Sequence, residues 1–200
     1  MGHKMLTRFD RAIAAIDAAN AQDPNLIGPT GQARPAELVY GEYMSAMLSR
    51  FYPDASEVLK LAVRAQHLRR WEVPRASYPM DRAGYHRWRN VLKRLHAQWA
   101  GEILRECGYS VEDIASVEVL IRKEQLKQNA EAQALEDTAC LVFLSHYAND
   151  FAAKHDDAKM IGILAKSWAK MSAKGQAAAL VLELPPHLNA LINRALSSGS

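Results

Sequence analysis

The chain has 200 residues, 49% of them hydrophobic, and a formal net charge of +3 at pH 7. This predicts one domain with a substantial core, and the mild charge does not by itself indicate a nucleic-acid-binding protein. The two cysteines, Cys107 and Cys140, exclude a disulfide framework and a cysteine-rich zinc site, which need paired ligands at short spacing. Because there is also no membrane-length apolar run and no signal-peptide pattern, we expect a cytoplasmic protein without membrane contact.

Helical spacing of the apolar residues predicts nine helices and no strand, which defines an all-α protein. Capping residues and glycines mark several of the helix ends: Asp54 or Ser56 caps the third helix and Asp156 the seventh, Asp81 and Ser110 begin the fourth and fifth, and Gly108 follows a helix C-terminus. In chain order, the predicted helices cover residues 6–21, 35–51, 56–67, 81–107, 111–124 and 130–151, a helix that begins at Asp156, a short helix around Gly175, and residues 186–196.

A loop rich in arginine and aromatic residues follows the third predicted helix. His67 ends the apolar face of that helix, and Pro74 and Pro79 stiffen the loop. Guanidinium groups form forked, charge-assisted hydrogen bonds to phosphate and carboxylate, so the loop predicts an anion-binding site. The residues predicted to bind the anionic substrate are Arg69, Arg70, Arg75, Arg82, Trp71 and Tyr78.

Residues 64–94 contain nine Lys or Arg side chains and only two acidic ones, Glu72 and Asp81. For Arg87, Arg89 and Arg94 an ordinary solvated helix face is an equally good interpretation, because long basic side chains snorkel along helices.

Polar residues interrupt the apolar faces of five successive predicted helices. Aspartate is rarely buried unless it is paired or binds a metal, and oxygen and imidazole ligands suit divalent cations such as Mg, Mn, Fe or Zn. The predicted ligands of a divalent metal ion are His67, His96, Asp137 and Glu42, with Glu124 or Glu136 as the general base. The alternative is that each histidine is a core residue and each acid pairs with an arginine such as Arg64 or Arg122.

Three stretches resemble the HD-domain metal-dependent phosphohydrolases. LAVRAQHLRR resembles their helix that ends in a His-Asp pair, HAQWAGEILRECGYSVEDIASVEVLIRKE resembles the two helices with additional histidines, and EAQALEDTACLVFL resembles the late helix with the final Asp. The resemblance covers roughly residues 36–144. It implies a single domain over residues 1–200, with an HD-like core at about 36–150 and C-terminal helices 156–196 packed on it.

By this resemblance, His96 and Asp137 fall on ligand positions. The chain departs from the HD pattern elsewhere: the His-Asp pair reads Gln66-His67, Glu42 is the nearest match to the first His, and the later His falls at Lys123 or Glu124.

A closer resemblance covers nearly the whole chain. The runs AQHLRRWEVPRASYPMDRAGYHRWR, LIRKEQLK and LEDTACLVFLSHY resemble the uncharacterised family catalogued as domain of unknown function 4202. This resemblance implies membership of that family but no activity.

Three functions follow from these observations. The leading hypothesis is an HD-like, metal-dependent hydrolase of a phosphorylated small molecule or nucleotide, in which the cation activates a water molecule and the arginines stabilise developing charge. The first alternative is a non-catalytic module that binds an anionic ligand or an RNA end through residues 64–94, although nothing in the sequence selects nucleic acid. The second is redox chemistry at an iron centre, since some HD-fold proteins are oxygenases.

Overall fold

The computed structural model describes residues 6–29, 31–126 and 128–197. Over these residues the chain is all-α, as predicted, with ten helices and one pair of two-residue antiparallel strands. The elements are α1 Arg8–Asn20, β1 Leu26–Ile27, β2 Arg34–Pro35, α2 Ala36–Phe51, α3 Glu57–Arg64, α4 Arg82–Glu106, α5 Val111–Arg122, α6 Ala130–Val142, α7 Ala148–Ala152, α8 Asp157–Lys170, α9 Ala173–Leu180 and α10 Pro186–Ser197. The predicted domain limits, residues 1 and 200, lie outside the described residues.

Side-chain caps set the beginnings of several helices. Ser56, Asp81, Ser110 and Asp156 each accept a hydrogen bond from a backbone N–H in the first turn of the helix that follows, which satisfies a donor with no partner inside the helix. Of the two candidates Asp54 and Ser56, the cap is Ser56, and the predicted cap Asp156 and the predicted helix starts at Asp81 and Ser110 are confirmed. Gly108 has a φ of 85°, as expected for the glycine after the C-terminus of α4.

The third helix is shorter than predicted. α3 ends at Arg64 rather than at His67, and the chain continues in tight turns to Arg69. Arg69 has a left-handed backbone (φ 53°), and its N–H donates a 2.9 Å hydrogen bond to Oδ1 of Asn20 on α1. A tertiary contact therefore ends the helical region and fixes the turn that carries Gln66 and His67.

The predicted helix over residues 130–151 is helical throughout, but it is not one regular α-helix. α6 ends at Val142, a π-helical turn covers Phe143–Tyr147, and α7 follows. Apolar periodicity does not reveal such a turn, because the residues on both sides of it remain helical. Turns of this kind occur often at functional sites.

The main core lies between α2, α3, α5 and α6, and α4 packs along α5. Its fully buried side chains include Leu61, Leu120, Ile121, Leu135 and Leu141, each of which stabilises the fold by about 1.5–3 kcal/mol. α9 packs on α6, and α10 packs on α8. None of the helices in the described residues is long and apolar enough to cross a membrane.

Candidate functional site

A cavity of about 370 Å³ opens between α2, the turn after α3, α4, α6 and the end of α8. The π-helical turn forms one of its walls, because that turn presents both Phe143 and Tyr147 to the cavity. Its polar and aromatic lining consists of Glu37, Tyr40, Gln66, His67, Arg70, Tyr85, Arg89, Lys123, Glu136, Cys140, Phe143, Tyr147 and Lys170.

Glu37 and His67 form a hydrogen-bonded pair in this cavity. Oε2 of Glu37 lies 3.2 Å from Nδ1 of His67, and the two side chains are only 14% and 12% exposed. Burial raises the pKa of Glu37 to about 7, although the charge of Arg70 opposes this rise. Burial, together with the charges of Arg70 and Arg89, holds the pKa of His67 well below its usual range. At neutral pH the pair therefore consists of a neutral ring and a carboxyl group that is protonated about half of the time.

Two further rings fix the orientation of His67. The ring of Tyr40 stacks on it, with the centroids 4.0 Å apart and the planes 10° from parallel. His96 lies behind it, with ring centroids 6.0 Å apart, and donates from Nδ1 to the carbonyl oxygen of Leu68 at 2.6 Å. Burial lowers the pKa of His96 to about 3, so this ring is neutral and serves to hold the turn after α3.

Cationic side chains line the opposite side of the cavity. Nζ of Lys123 lies 2.5 Å from Oε2 of Glu136, and Nζ of Lys170 lies 3.7 Å from Oε1 of the same carboxyl. Lys123 has a left-handed backbone (φ 56°) at the end of α5. Burial alone would raise the pKa of Glu136, but Lys123, Lys170 and Arg89 hold it below its usual value. Glu136 is therefore an ionised partner for the lysines and a weak base.

Gln66 adds an acceptor without a partner. The residue lines the cavity and is 4% exposed, and within the described part of the chain its Oε1 accepts no hydrogen bond. Buried side-chain oxygens are normally hydrogen-bonded, so this atom is an exception, but it is itself buried and does not face the open part of the cavity.

The thiol of Cys140 also faces the cavity. Burial raises its pKa to about 12, so it stays protonated at neutral pH and is a poor nucleophile.

Asp137, one of the four predicted metal ligands, has a structural position. It is fully buried and accepts hydrogen bonds from Tyr52 at 2.5 Å, from Gln133 at 2.9 Å and from the backbone N–H of Ser172 at 2.8 Å. The hydroxyl of Ser172, the N-cap of α9, donates to the same carboxylate. These donors occupy the carboxylate, which fixes the start of α9 against α6.

The other predicted ligands do not join Asp137. Glu42 is turned to Arg34, with two hydrogen bonds of 2.8 and 2.6 Å, and only His67 and His96 are neighbours. In the described residues, no group of three or more His, Cys, Asp or Glu side chains could hold a metal ion. The structure thus does not assemble the predicted four-ligand set, because two of its carboxylates serve other partners.

Of the predicted anion-binding residues, only Arg70 lines the cavity. Arg69 is bonded to Glu72 at 2.6 Å and lies over the ring of Trp99, while Arg75 donates to the carbonyl oxygens of Tyr78 and Asp81 and so braces the loop. The predicted residues that do not line the cavity are Arg69, Trp71, Arg75, Tyr78 and Arg82.

The two candidate general bases are also separated. Glu136 lines the cavity, whereas Glu124 is half exposed and accepts a 2.8 Å hydrogen bond from Arg122 outside it.

Several cavity residues have no clear signal in the sequence. Glu37 is the nearest to one, because it shares a helical face with Gly41, Met44 and Leu48, at the i, i+4, i+7 and i+11 positions of α2. The sequence pattern instead places the apolar face of this helix on Leu38 and Val39. That face contains Glu42, so the pattern predicts Glu42 rather than Glu37. The other residues missed are Tyr40, Arg89, Lys123, Phe143, Tyr147 and Lys170.

Together, the fold and the site define an all-α protein with a polar cavity that is lined by several cationic side chains. Residues 10–192 match the model of the family described as Domain of unknown function (DUF4202), and the chain belongs to this family. Comparison with curated proteins and with solved structures found no match. The closer of the two sequence resemblances is therefore confirmed, and the HD-domain resemblance stays a prediction.

Proposed function

We propose that this protein binds an anionic small molecule, a phosphate or carboxylate compound, in the cavity beside Glu37 and His67. The observation that carries the proposal is the charge of the lining. Four cationic side chains, Arg70, Arg89, Lys123 and Lys170, face two carboxyl groups, one of which has a pKa raised to about 7 by burial. The excess positive charge favours an anion in the cavity.

The remaining lining favours a ligand with a planar part. Tyr40, Phe143 and Tyr147 supply aromatic surface on which such a part can pack. Arginine makes forked hydrogen bonds to phosphate, and lysine adds a point charge. A cavity of about 370 Å³ is at the small end of ligand pockets, which suits a metabolite or a single nucleotide.

Calorimetric titration with inorganic phosphate and a panel of nucleoside monophosphates and sugar phosphates tests this proposal. Arg89→Gln should weaken binding of a phosphorylated ligand about tenfold or more, because a charge-assisted hydrogen bond is lost. Arg82→Gln is the matched control, since Arg82 is an exposed arginine on the same helix outside the cavity. Equal affinities for the wild type and Arg89→Gln would refute the assignment of the site.

A second candidate is hydrolysis of the bound phosphate ester, and the Glu37–His67 pair favours it. A general acid or base works best with a pKa near the operating pH, and the pKa of Glu37 is about 7. In this reaction the Glu37 carboxylate accepts a proton from the attacking water as the bond between phosphorus and the leaving oxygen breaks, and then returns that proton to the leaving oxygen. Because the predicted metal ligands do not converge, we assign the chemistry to Glu37, with His67 positioning its carboxyl.

The hydrolase candidate is tested on the same panel by release of phosphate, with Mg²⁺, Mn²⁺, Fe²⁺ or Zn²⁺ added and with EDTA. We expect turnover that persists in EDTA and is lost in Glu37→Gln while ligand binding remains. Turnover that requires one of the cations would instead favour the metal-dependent hydrolase predicted from the sequence. Binding without turnover under any condition would leave the protein a binding module.

A further inference from the structure

A basic groove continues from the cavity along α4. A first depression, of about 320 Å³, shares Arg89, Lys123 and Lys170 with the cavity. A second, of about 590 Å³, shares Asn90 and Lys93 with the first and reaches Arg94 and Arg122. We call these two depressions together the α4 groove. The shared lining residues place the two depressions side by side and next to the cavity.

The α4 groove contains two acids, Glu124 and Glu136, which are already paired with Arg122, Lys123 and Lys170, and four further cations. Arg87 and Arg94 are exposed, and Arg89 and Lys93 are partly buried. Across residues 6–29, 31–126 and 128–197, none of these four forms an ion pair with a carboxylate. Burial lowers the pKa of Lys93, and the charges of Lys123 and Arg89 lower it further. The cations thus repel one another, and an anion laid along the groove would relieve this repulsion.

The spacing of the groove cations suits a chain of anions better than a single one. Arg87 and Arg94 are seven residues apart on α4, which corresponds to roughly 10 Å along the helix axis. Lys93 and Arg89 lie between them and the cavity. Tyr85, which is 45% exposed, and His86 line the part of the groove next to the cavity, and such rings are stacking platforms for bases.

From these features we propose that the α4 groove binds the phosphodiester backbone of a single-stranded nucleic acid whose terminal nucleotide occupies the cavity. This proposal rests on the proposed function, because it identifies the anionic ligand as the end of a longer strand. A single strand fits better than a duplex, since a cavity of about 370 Å³ has room for one nucleotide but not for a base pair. Cations without carboxylate partners and exposed aromatic rings are the features by which proteins bind single strands without reading their sequence.

The test compares a nucleoside monophosphate with 5′-phosphorylated single strands of about eight nucleotides, a length within the range that single-strand-binding sites cover. RNA and DNA strands are separate arms, and a duplex of the same sequence is a third. Fluorescence anisotropy over a salt series measures the strands, and calorimetry measures the monophosphate. We expect the single strand to bind at least tenfold more tightly than the monophosphate.

The double variant Arg87→Glu, Arg94→Glu should abolish this gain and leave monophosphate affinity unchanged. It should also reduce the slope of log affinity against log salt by about 1.4, the value for two phosphate contacts on a single strand. Arg105→Glu is the control, because Arg105 is an exposed arginine of α4 outside the groove.

Three results would overturn the proposal: a strand that binds no better than the monophosphate, an equal loss in Arg105→Glu, or a duplex that binds more tightly than the single strand. Failure of the cavity proposal looks different. In that case Arg89→Gln would leave monophosphate binding unchanged, whereas the response to the double variant would still report on the groove.

Discussion

Replacing Glu37 by glutamine keeps the size of the side chain but removes its titration. In the folded protein burial raises the pKa of Glu37 from its ordinary value of 4.5 to about 7. The folded state therefore binds this proton more tightly than the unfolded state does. The resulting stability is complete below pH 4.5 and is lost as the pH rises to 7.

The magnitude follows from the difference between the two pKa values. Each pKa unit corresponds to about 1.4 kcal/mol, so the wild type should lose about 3 kcal/mol relative to Glu37→Gln between pH 4.5 and 8. His67 and His96 act in the opposite direction, because their lowered pKa values make the folded state less stable as the pH falls below 6.5. The unfolding free energy of the wild type therefore depends on pH through all three groups. The difference in unfolding free energy between the wild type and Glu37→Gln isolates the contribution of Glu37.

Urea denaturation at half-unit steps from pH 4.5 to 8 measures this difference. Glu42→Gln is the matched control on the same helix. The carboxyl of Glu42 is partly exposed and hydrogen-bonded to Arg34, which lowers its pKa, so Glu42 of the folded protein titrates below the measured pH range. The difference in unfolding free energy between wild type and Glu42→Gln should therefore stay constant. Parallel pH profiles for the wild type and Glu37→Gln would show that Glu37 does not titrate near neutrality and would refute the reasoning.

Three further predictions concern stability and are checked by denaturant unfolding. Gly175→Ala should lower the free energy of unfolding by about 1–3 kcal/mol, because the added Cβ would lie 2.5 Å from Cγ of Asp137. Gly162→Ala is the control: its Cβ would have nothing within 4 Å, and the change should stabilise α8 by about 0.5–1 kcal/mol. Asp137→Leu should lower the free energy of unfolding by about 3 kcal/mol or more, because it leaves several buried donors unpaired. An unchanged denaturation midpoint would instead favour the predicted ligand role of Asp137. Glu136→Leu should cost about 3–5 kcal/mol through the uncompensated Lys123, and Lys123→Met in the same chain should recover part of it.

The fold was largely predictable because its signals are local. Apolar spacing and N-caps such as Ser110 and Asp156 depend only on neighbouring residues, and they placed most helix ends within a few residues of their observed positions. The predictions failed where a distant contact decides the backbone. α3 stops short of His67 because Asn20 on α1 holds the backbone of Arg69, and no local pattern encodes that contact.

The site was less predictable, because the role of a polar side chain depends on its partner. Asp137 and Glu136 are adjacent buried acids on α6, yet one anchors α9 and the other balances two lysines in the cavity. The apolar pattern identified Asp137 as an unusual inward acid and gave Glu136 only as a possible general base, so it predicted neither role. Lys123 and Lys170 are ordinary surface residues by sequence, and only the packing of helix ends around the cavity makes them part of its wall.

The π-helical turn at Phe143–Tyr147 makes the cavity wall sensitive to chain length. Relative to an α-helix, a turn of this kind accommodates one additional residue, and each residue of an α-helix rotates the chain by about 100°. Deleting one residue there would convert the turn to regular α-helix and leave the side chains before and after it on their present faces, because the turn absorbs the residue that would otherwise rotate them. The change would be confined to the turn that carries Phe143 and Tyr147, so natural insertions or deletions at this point would alter one wall of the site while the rest of the fold stays in place.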